Sequence, residues 1–385
     1  MKRHHLLLLS LTVVVVLLAW TVSQSKAPQT EVTRSELFPS LLDSINEIAL
    51  VNVRNAQRNT ELQRDGERWT VTNKDAFEAD AAAVKRVALQ LANARIVEPK
   101  TSSPNRFAKL GVADIGDENS AGTLVELLTA DGNTLAALIV GHERDGSTGD
   151  QHYVRRRDED QSWLVVGELD PNADPITWVD AQILDIDTQR VMSVRVEKSD
   201  AAPIALSKAE QSDNFFTLNN IPSGYEQKSK ATVSALGALL LDLRFNDVLA
   251  AAKLAALTPV REVTVTTFNG LVVTLKDYLL DDQKLVTFSF AVNEEQAAAA
   301  VSSAAAATAA ATSADQEENK PEAADTNATE EKSADETPQA ESERLRQRTS
   351  RWAYVIPDYK RRMMEKTFED LIKTVEPEKP DATQE

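Results

Sequence analysis

The chain of 385 residues contains no cysteine. That absence removes disulfides, thiolate metal sites, thiol nucleophiles and acylation of an N-terminal cysteine, so any folded part must rest on its core alone. Histidine is almost as scarce. Of the four, His4 and His5 precede an apolar run, which leaves His142 and His152 for chemistry elsewhere. Positive charge is also in deficit, with 42 basic residues against 60 acidic and a formal charge of −18. Such a surface repels nucleic acid and anionic lipid unless a local basic stripe intervenes. The only basic runs, Arg155 to Arg157 and Lys360 to Arg362, flank predicted strands or helices, where solvated charge is the ordinary explanation. Catalytic signatures are missing too: there is no Gly-x-Ser-x-Gly elbow, no Walker-type loop, no dinucleotide fingerprint and no His-Glu-x-x-His.

What the chain does have is one long apolar run. Residues 6 to 22, LLLLSLTVVVVLLAWTV, follow Lys2 and Arg3. As a helix the run reaches roughly 25 Å, the short end of a hydrocarbon core. Basic residues before it and polar chain after it predict a cytoplasmic N-terminus (1–5), a transmembrane anchor (6–22), a tether (23–34) and a body on the opposite side of the membrane. The alternative is a cleaved signal peptide, with Ser23 and Ser25 as the small residues at the cleavage spacing. Either way the body is exported.

Within the body, strand alternation around Ile48 to Val53, a turn at Asp65-Gly66 before Trp69, and a helix carrying Val84, Val87, Ala88 and Leu91 form one pattern. A second copy follows about 146 to 149 residues later, with Val191 to Val196 as the strand and Val233, Leu236, Leu240 and Leu243 as the helix. Hairpins turning at Asp131-Gly132 and Asn269-Gly270 continue the match. The segments around Trp163 and Trp352 match only at a longer offset, and the excess of about 51 residues falls in a stretch of Ala, Ser, Thr, Glu and Asp. The expected fold class is therefore α+β: a single N-terminal transmembrane helix, then two tandem, mutually similar units of antiparallel strands with packed helices. Their bounds are 35–187 and 188–374, the second interrupted by a disordered insert at 293–343, with a disordered tail at 375–385.

For chemistry, the segment HERDGSTGDQH between two strands holds His142, Glu143, Asp145, Asp150 and His152, ligand types that suit a divalent ion. A polar connection between strands has the same composition, and no metal is expected; a calcium loop on Asp145, Ser147 and Asp150 lacks the required spacing. Trp69, Trp163, Trp178 and Trp352 are expected in the core rather than as a carbohydrate-stacking set. The pair Glu168 and Asp170 is one of many carboxylate pairs in an acid-rich chain.

The ordered segments SELFPSLLDSINEIALVNV, RDGERWTV, FEADAAAVKRVALQLANARIVEP, LLTADGNTLAALIVGHE and HYVRR, together with the N-terminal anchor, resemble the bacterial domain-of-unknown-function family 4340 over most of residues 35 to 290. Members of that family resemble, and often accompany, auxiliary proteins of gliding-motility-type ABC transporters. The resemblance implies a transporter accessory role with a multi-span partner, and it brings no catalytic residue and no cofactor. The expectation is thus a non-enzymatic, membrane-anchored accessory or scaffold protein. An exported ligand-binding module for peptide, lipid or glycan is the alternative, and an envelope enzyme the third reading.

Overall fold

The computed structural model describes residues 35–146, 150–199, 201–302 and 336–375. The expected anchor, tether and most of the tail lie outside them. Among the described residues, no helix is long and apolar enough to cross a membrane. The described residues divide into two compact units, the first made of residues up to Glu61 and of Ala81 to Ala173, the second of Leu62 to Asp80 and of those from Asp174 on. The expected boundary at 187/188 therefore moves to 173/174. The segment 62–80, expected in the first unit, packs with the second.

The first unit is an antiparallel sheet. Its strands are β1 (Leu50–Arg54), the start of β2 (Asn59–Asp65), and, after the excursion through β3 (Arg68–Val71) and β4 (Phe77–Ala79), β5 (Arg95–Pro99), β6 (Thr123–Leu128), β7 (Thr134–Glu143), β8 (Gln151–Arg156) and β9 (Ser162–Val166). They run β1-β6-β7-β8-β9-β5, with Val53 opposite Val125 and Val125 opposite Leu138. The sequence between β4 and β5 forms α1 (Ala81–Asn93), as its good helix formers predict. Its buried stripe is Ala83, Val84, Val87, Ala88, Leu91 and Ala92, which includes all four periodic residues read from the sequence. A short helix, α2 (Phe107–Leu110), precedes β6. Beyond the free edge of β5, Leu37 N donates to Ala94 O at 2.9 Å and Ile96 N to Ser35 O at 2.8 Å, so the first described residues pair along that edge.

In the second unit the strands are β10 (Gln182–Leu184), β11 (Val191–Lys198), β12 (Ala201–Ser207), β13 (Thr217–Leu218), β14 (Tyr225–Gln227), β15 (Leu243–Arg244), β16 (Asp247–Ala250), β17 (Arg261–Thr267), β18 (Leu271–Leu280), β19 (Gln283–Val292), β20 (Trp352–Val355) and β21 (Ile372–Thr374). The main sheet has the order β13-β12-β11-β17-β18-β19-β20-β16, and the pairs β10-β15 and β14-β21 stand apart. The β17–β18 turn sits at Asn269-Gly270 as expected, with Gly270 at φ +90°, where glycine alone carries no steric penalty.

Two expectations for this unit are corrected. The helix predicted through Val233, Leu236, Leu240 and Leu243 is broken: α3 (Lys230–Ser234) gives way to a 3-10 turn at Ala235–Ala238, and Leu243 opens β15. All four side chains are buried, so the periodicity located the core but not the helix length. Gly237 marks the break, because a Cβ there would lie 2.2 Å from Phe216 Cε2. The insert expected to be disordered over 293–343 is ordered at both ends. Residues 294–302 are helical, and α4 (Pro338–Thr349) starts on a Thr337 cap with proline at its first turn. Arg190 grips Glu341 of α4 through two contacts of 3.1 and 2.6 Å, and Leu345 enters the core. Expectation failed here because two long-range partners, invisible in composition, hold a polar helix. Residues 303–335 lie outside the described set. The chain closes with α5 (Asp358–Met364).

Segment 62–80 joins the second unit through charge and aromatic contacts. Lys74 meets Asp247 at 2.6 Å, and Asp75 accepts from Ala250 N at 2.8 Å and from Lys253 Nζ at 2.7 Å. Phe77 packs edge-on to Phe245 and Trp352, with centroids 5.4 and 4.8 Å apart. Asp75 and Ala76 both adopt left-handed backbone, at φ 55° and 60°. The hydrogen bonds from Lys253 and from the Ala250 N–H hold the Asp75 carboxyl below the usual carboxylate range. A depressed folded-state value contributes stability above the unfolded value, and that contribution is lost as pH falls through the folded one. Acid unfolding followed by circular dichroism should therefore begin at higher pH for wild type than expected from neutral-pH stability alone, and Asp75→Asn should flatten that acid dependence while lowering stability at pH 7.

Candidate functional site

The sequence singled out residues that the structure distributes rather than assembles. His142 is the last residue but one of β7 and is exposed, beside Gly111, while His152 in β8 lies opposite Glu143. Residues 147–149 of the intervening loop are outside the described set. Among the described residues, no group of three or more metal-ligating side chains comes together. Trp69 and Trp178 are buried, and Trp163 and Trp352 are half-buried. Glu168 and Asp170 are exposed on either side of buried Leu169.

Neither basic run is the solvated stripe expected. Arg155 is 3 % exposed: its guanidinium donates to Val112 O at 2.8 Å and to Arg157 O and Glu159 O at 3.1 Å each, pairs with Asp114, and stacks on Phe107. Lys360 donates to Ala238 O and Leu241 O at 2.7 and 2.6 Å, and burial pushes its ammonium below the usual lysine range. Arg361 bonds Asp277 at 3.0 Å and Lys284 O at 2.9 Å, and Arg261 takes the other Asp277 oxygen at 3.0 Å. Burial pushes the Asp277 carboxyl up against the pull of both guanidiniums. These charges are internal fastenings of the fold.

A concave feature lies on α1. Its outward stripe, Ala82, Lys85, Arg86, Leu89, Gln90 and Asn93, recurs at helical spacing on the face opposite the buried one, and Gly167 with Glu168 forms the facing wall of a shallow groove of about 430 Å³. Lys85, Arg86 and Glu168 are exposed, and Leu89 and Gln90 are half-buried. Gly167 lies against Ala94, its ideal Cβ position 3.4 Å from Ala94 Cα, so the groove ends beside the strand edge that Ser35 and Leu37 cover. Leu37 O is in turn held by Arg156 Nη2 at 2.6 Å. The groove offers two cations, one carboxylate, two amides and a small apolar floor. Sequence reading missed it, although one signal was present: Leu89 is apolar on the polar stripe of a helix that contains no acidic residue.

A family model described as Domain of unknown function (DUF4340) matches residues 69–261, half of the chain. The chain belongs to this family. The DUF4340 match spans the whole groove, from Ala82 to Glu168, and ends at Arg261, the first residue of β17. Hairpin β18–β19, the 303–335 segment and α4 lie beyond it. No curated protein and no solved structure matches the chain.

Proposed function

We propose that this DUF4340 protein is a non-enzymatic, membrane-anchored accessory or scaffold protein of the bacterial cell envelope, serving a multi-span ABC-type transporter from the outer face of the inner membrane. The observation that carries the reading is the apolar run 6–22 behind Lys2 and Arg3, which lies twelve residues before the first described residue, Ser35. The run contains no charged residue and so offers no transport pathway of its own. Transport would be the work of a partner. Two further features support a scaffold. Clustered charge is spent on internal pairs rather than on a reaction centre, and the sheet orders β1-β6-β7-β8-β9-β5 and β11-β17-β18-β19-β20-β16 are the same element for element, which supports duplication of one binding-type unit. The groove on α1 favours a second reading, an exported ligand-binding module, and the two are compatible.

The expected result for topology is that alkaline phosphatase, active only outside the cytoplasm, works when fused after Glu385; an inactive fusion overturns the reading. Replacing residues 1–22 with a cleavable signal peptide should export a folded body that loses function, and an unrelated single-span anchor should restore it. Full activity of the freed body would favour the independent binding module, since an anchored scaffold depends on the high local concentration that the membrane gives.

A further inference from the structure

We infer that the groove along α1 binds the phosphoethanolamine headgroup of a bilayer phospholipid. The inference rests on the membrane-anchored reading above and adds a ligand to it. Place is the first argument. The groove ends at Gly167, which packs on Ala94, and Ala94 O accepts from Leu37 N, two residues inside the start of the described chain. Between that point and the apolar run lie residues 23–34, which can span at most about 40 Å. The groove is therefore held within reach of the headgroup layer, where a weak contact suffices.

Charge complementarity is the second argument, and it selects among headgroups. Lys85 and Arg86 are successive exposed cations on a helix without any carboxylate, and a phosphate takes charge-assisted hydrogen bonds from both types. Glu168 on the facing wall is the acceptor for a primary ammonium. Half-buried Leu89 with Ala82 gives the glycerol carbons an apolar floor, and the amides of Gln90 and Asn93 can donate to ester oxygens. A volume of about 430 Å³ falls within the usual range for small-ligand sites. With a formal charge of −18, the protein repels a net-anionic headgroup. One carrying both phosphate and ammonium is neutral and escapes that repulsion.

The full chain in a maltoside detergent, free of phosphate, is titrated by calorimetry with dihexanoyl-phosphatidylethanolamine and, separately, with dihexanoyl-phosphatidylglycerol. Wild type should prefer the ethanolamine lipid. Lys85→Glu with Arg86→Glu should weaken its binding at least tenfold, and Glu168→Gln should abolish the preference. Lys109→Glu, an exposed cation outside the groove, should bind as wild type, and all variants should keep the wild-type melting temperature because the altered side chains are exposed. Binding by the double variant as tight as wild type overturns the site. Equal competition by inorganic phosphate overturns it too, since it marks an unselective anion site, and so do photo-crosslinks from position 89 that run only to protein. The titration needs no anchor and the phosphatase fusion reads the anchor alone, so the two failures are told apart.

Discussion

Asp277→Ala should lower the unfolding free energy by about 3 to 5 kcal/mol, because it leaves two guanidiniums buried without their carboxylate. Asp277 is 4 % exposed, with Arg361 on one oxygen and Arg261 on the other, each at 3.0 Å. Those bonds fasten α5 to the β17–β18 hairpin, elements far apart in the chain. Asn in place of Asp keeps an acceptor but not the charge, so its cost should fall between wild type and Ala. The informative comparison is the double variant Asp277→Leu with Arg361→Met. Removing both sides of a buried pair forfeits less than removing one, and this variant should recover part of the loss in urea unfolding. A double variant no more stable than Asp277→Ala would mean that Arg261 or the Lys284 carbonyl, and not the pair, dominates.

Arg155→Leu should cost about 3 kcal/mol, the second largest effect, from charge-assisted hydrogen bonds of about 1.5 to 3 kcal/mol each offset by partial solvation of what remains. One guanidinium serves three backbone carbonyls and Asp114 while lying 4.7 Å from the centre of the Phe107 ring. Arg155→Lys should rescue little, because an ammonium cannot span three carbonyls as a planar fork does. Hydrogen exchange should show the change first in residues 110–114 and 157–160, the two segments that this side chain ties together.

These two positions show where the sequence was readable and where it was not. Hairpin turns at Asp131-Gly132 and Asn269-Gly270, and the inner stripe of α1, follow from local chemistry, namely turn residues and apolar period. They were legible. Arg155 and Arg361 looked like surface charge because local sequence says nothing of partners such as Val112 O or Asp277, 43 and 84 residues away. The same blindness affected Glu341, buried within a stretch that composition marks as disordered, because its partner Arg190 lies 151 residues earlier. The α1 groove was half legible. Its helix and outer stripe could be read, but the facing wall at Gly167 and Glu168 is supplied by the chain after β9 and appears only in three dimensions.

The excursion of residues 62–80 out of the first unit bears on how the chain is made. Lys74 and Asp75 are synthesised early, yet their partners Asp247, Ala250 and Lys253 follow 173 to 178 residues later. At translation rates of about 5 to 20 residues per second, the gap is roughly 10 to 35 seconds. During that interval the first unit can complete its sheet, since its last residue is Ala173. Segment 62–80 cannot complete its own contacts in that time, and Phe77 must wait for Phe245 and Trp352. A single cut at residue 173 therefore does not yield two foldable halves: the amino-terminal piece would carry a stranded aromatic loop, and the carboxyl-terminal piece would lack the loop that covers Phe245 and Trp352.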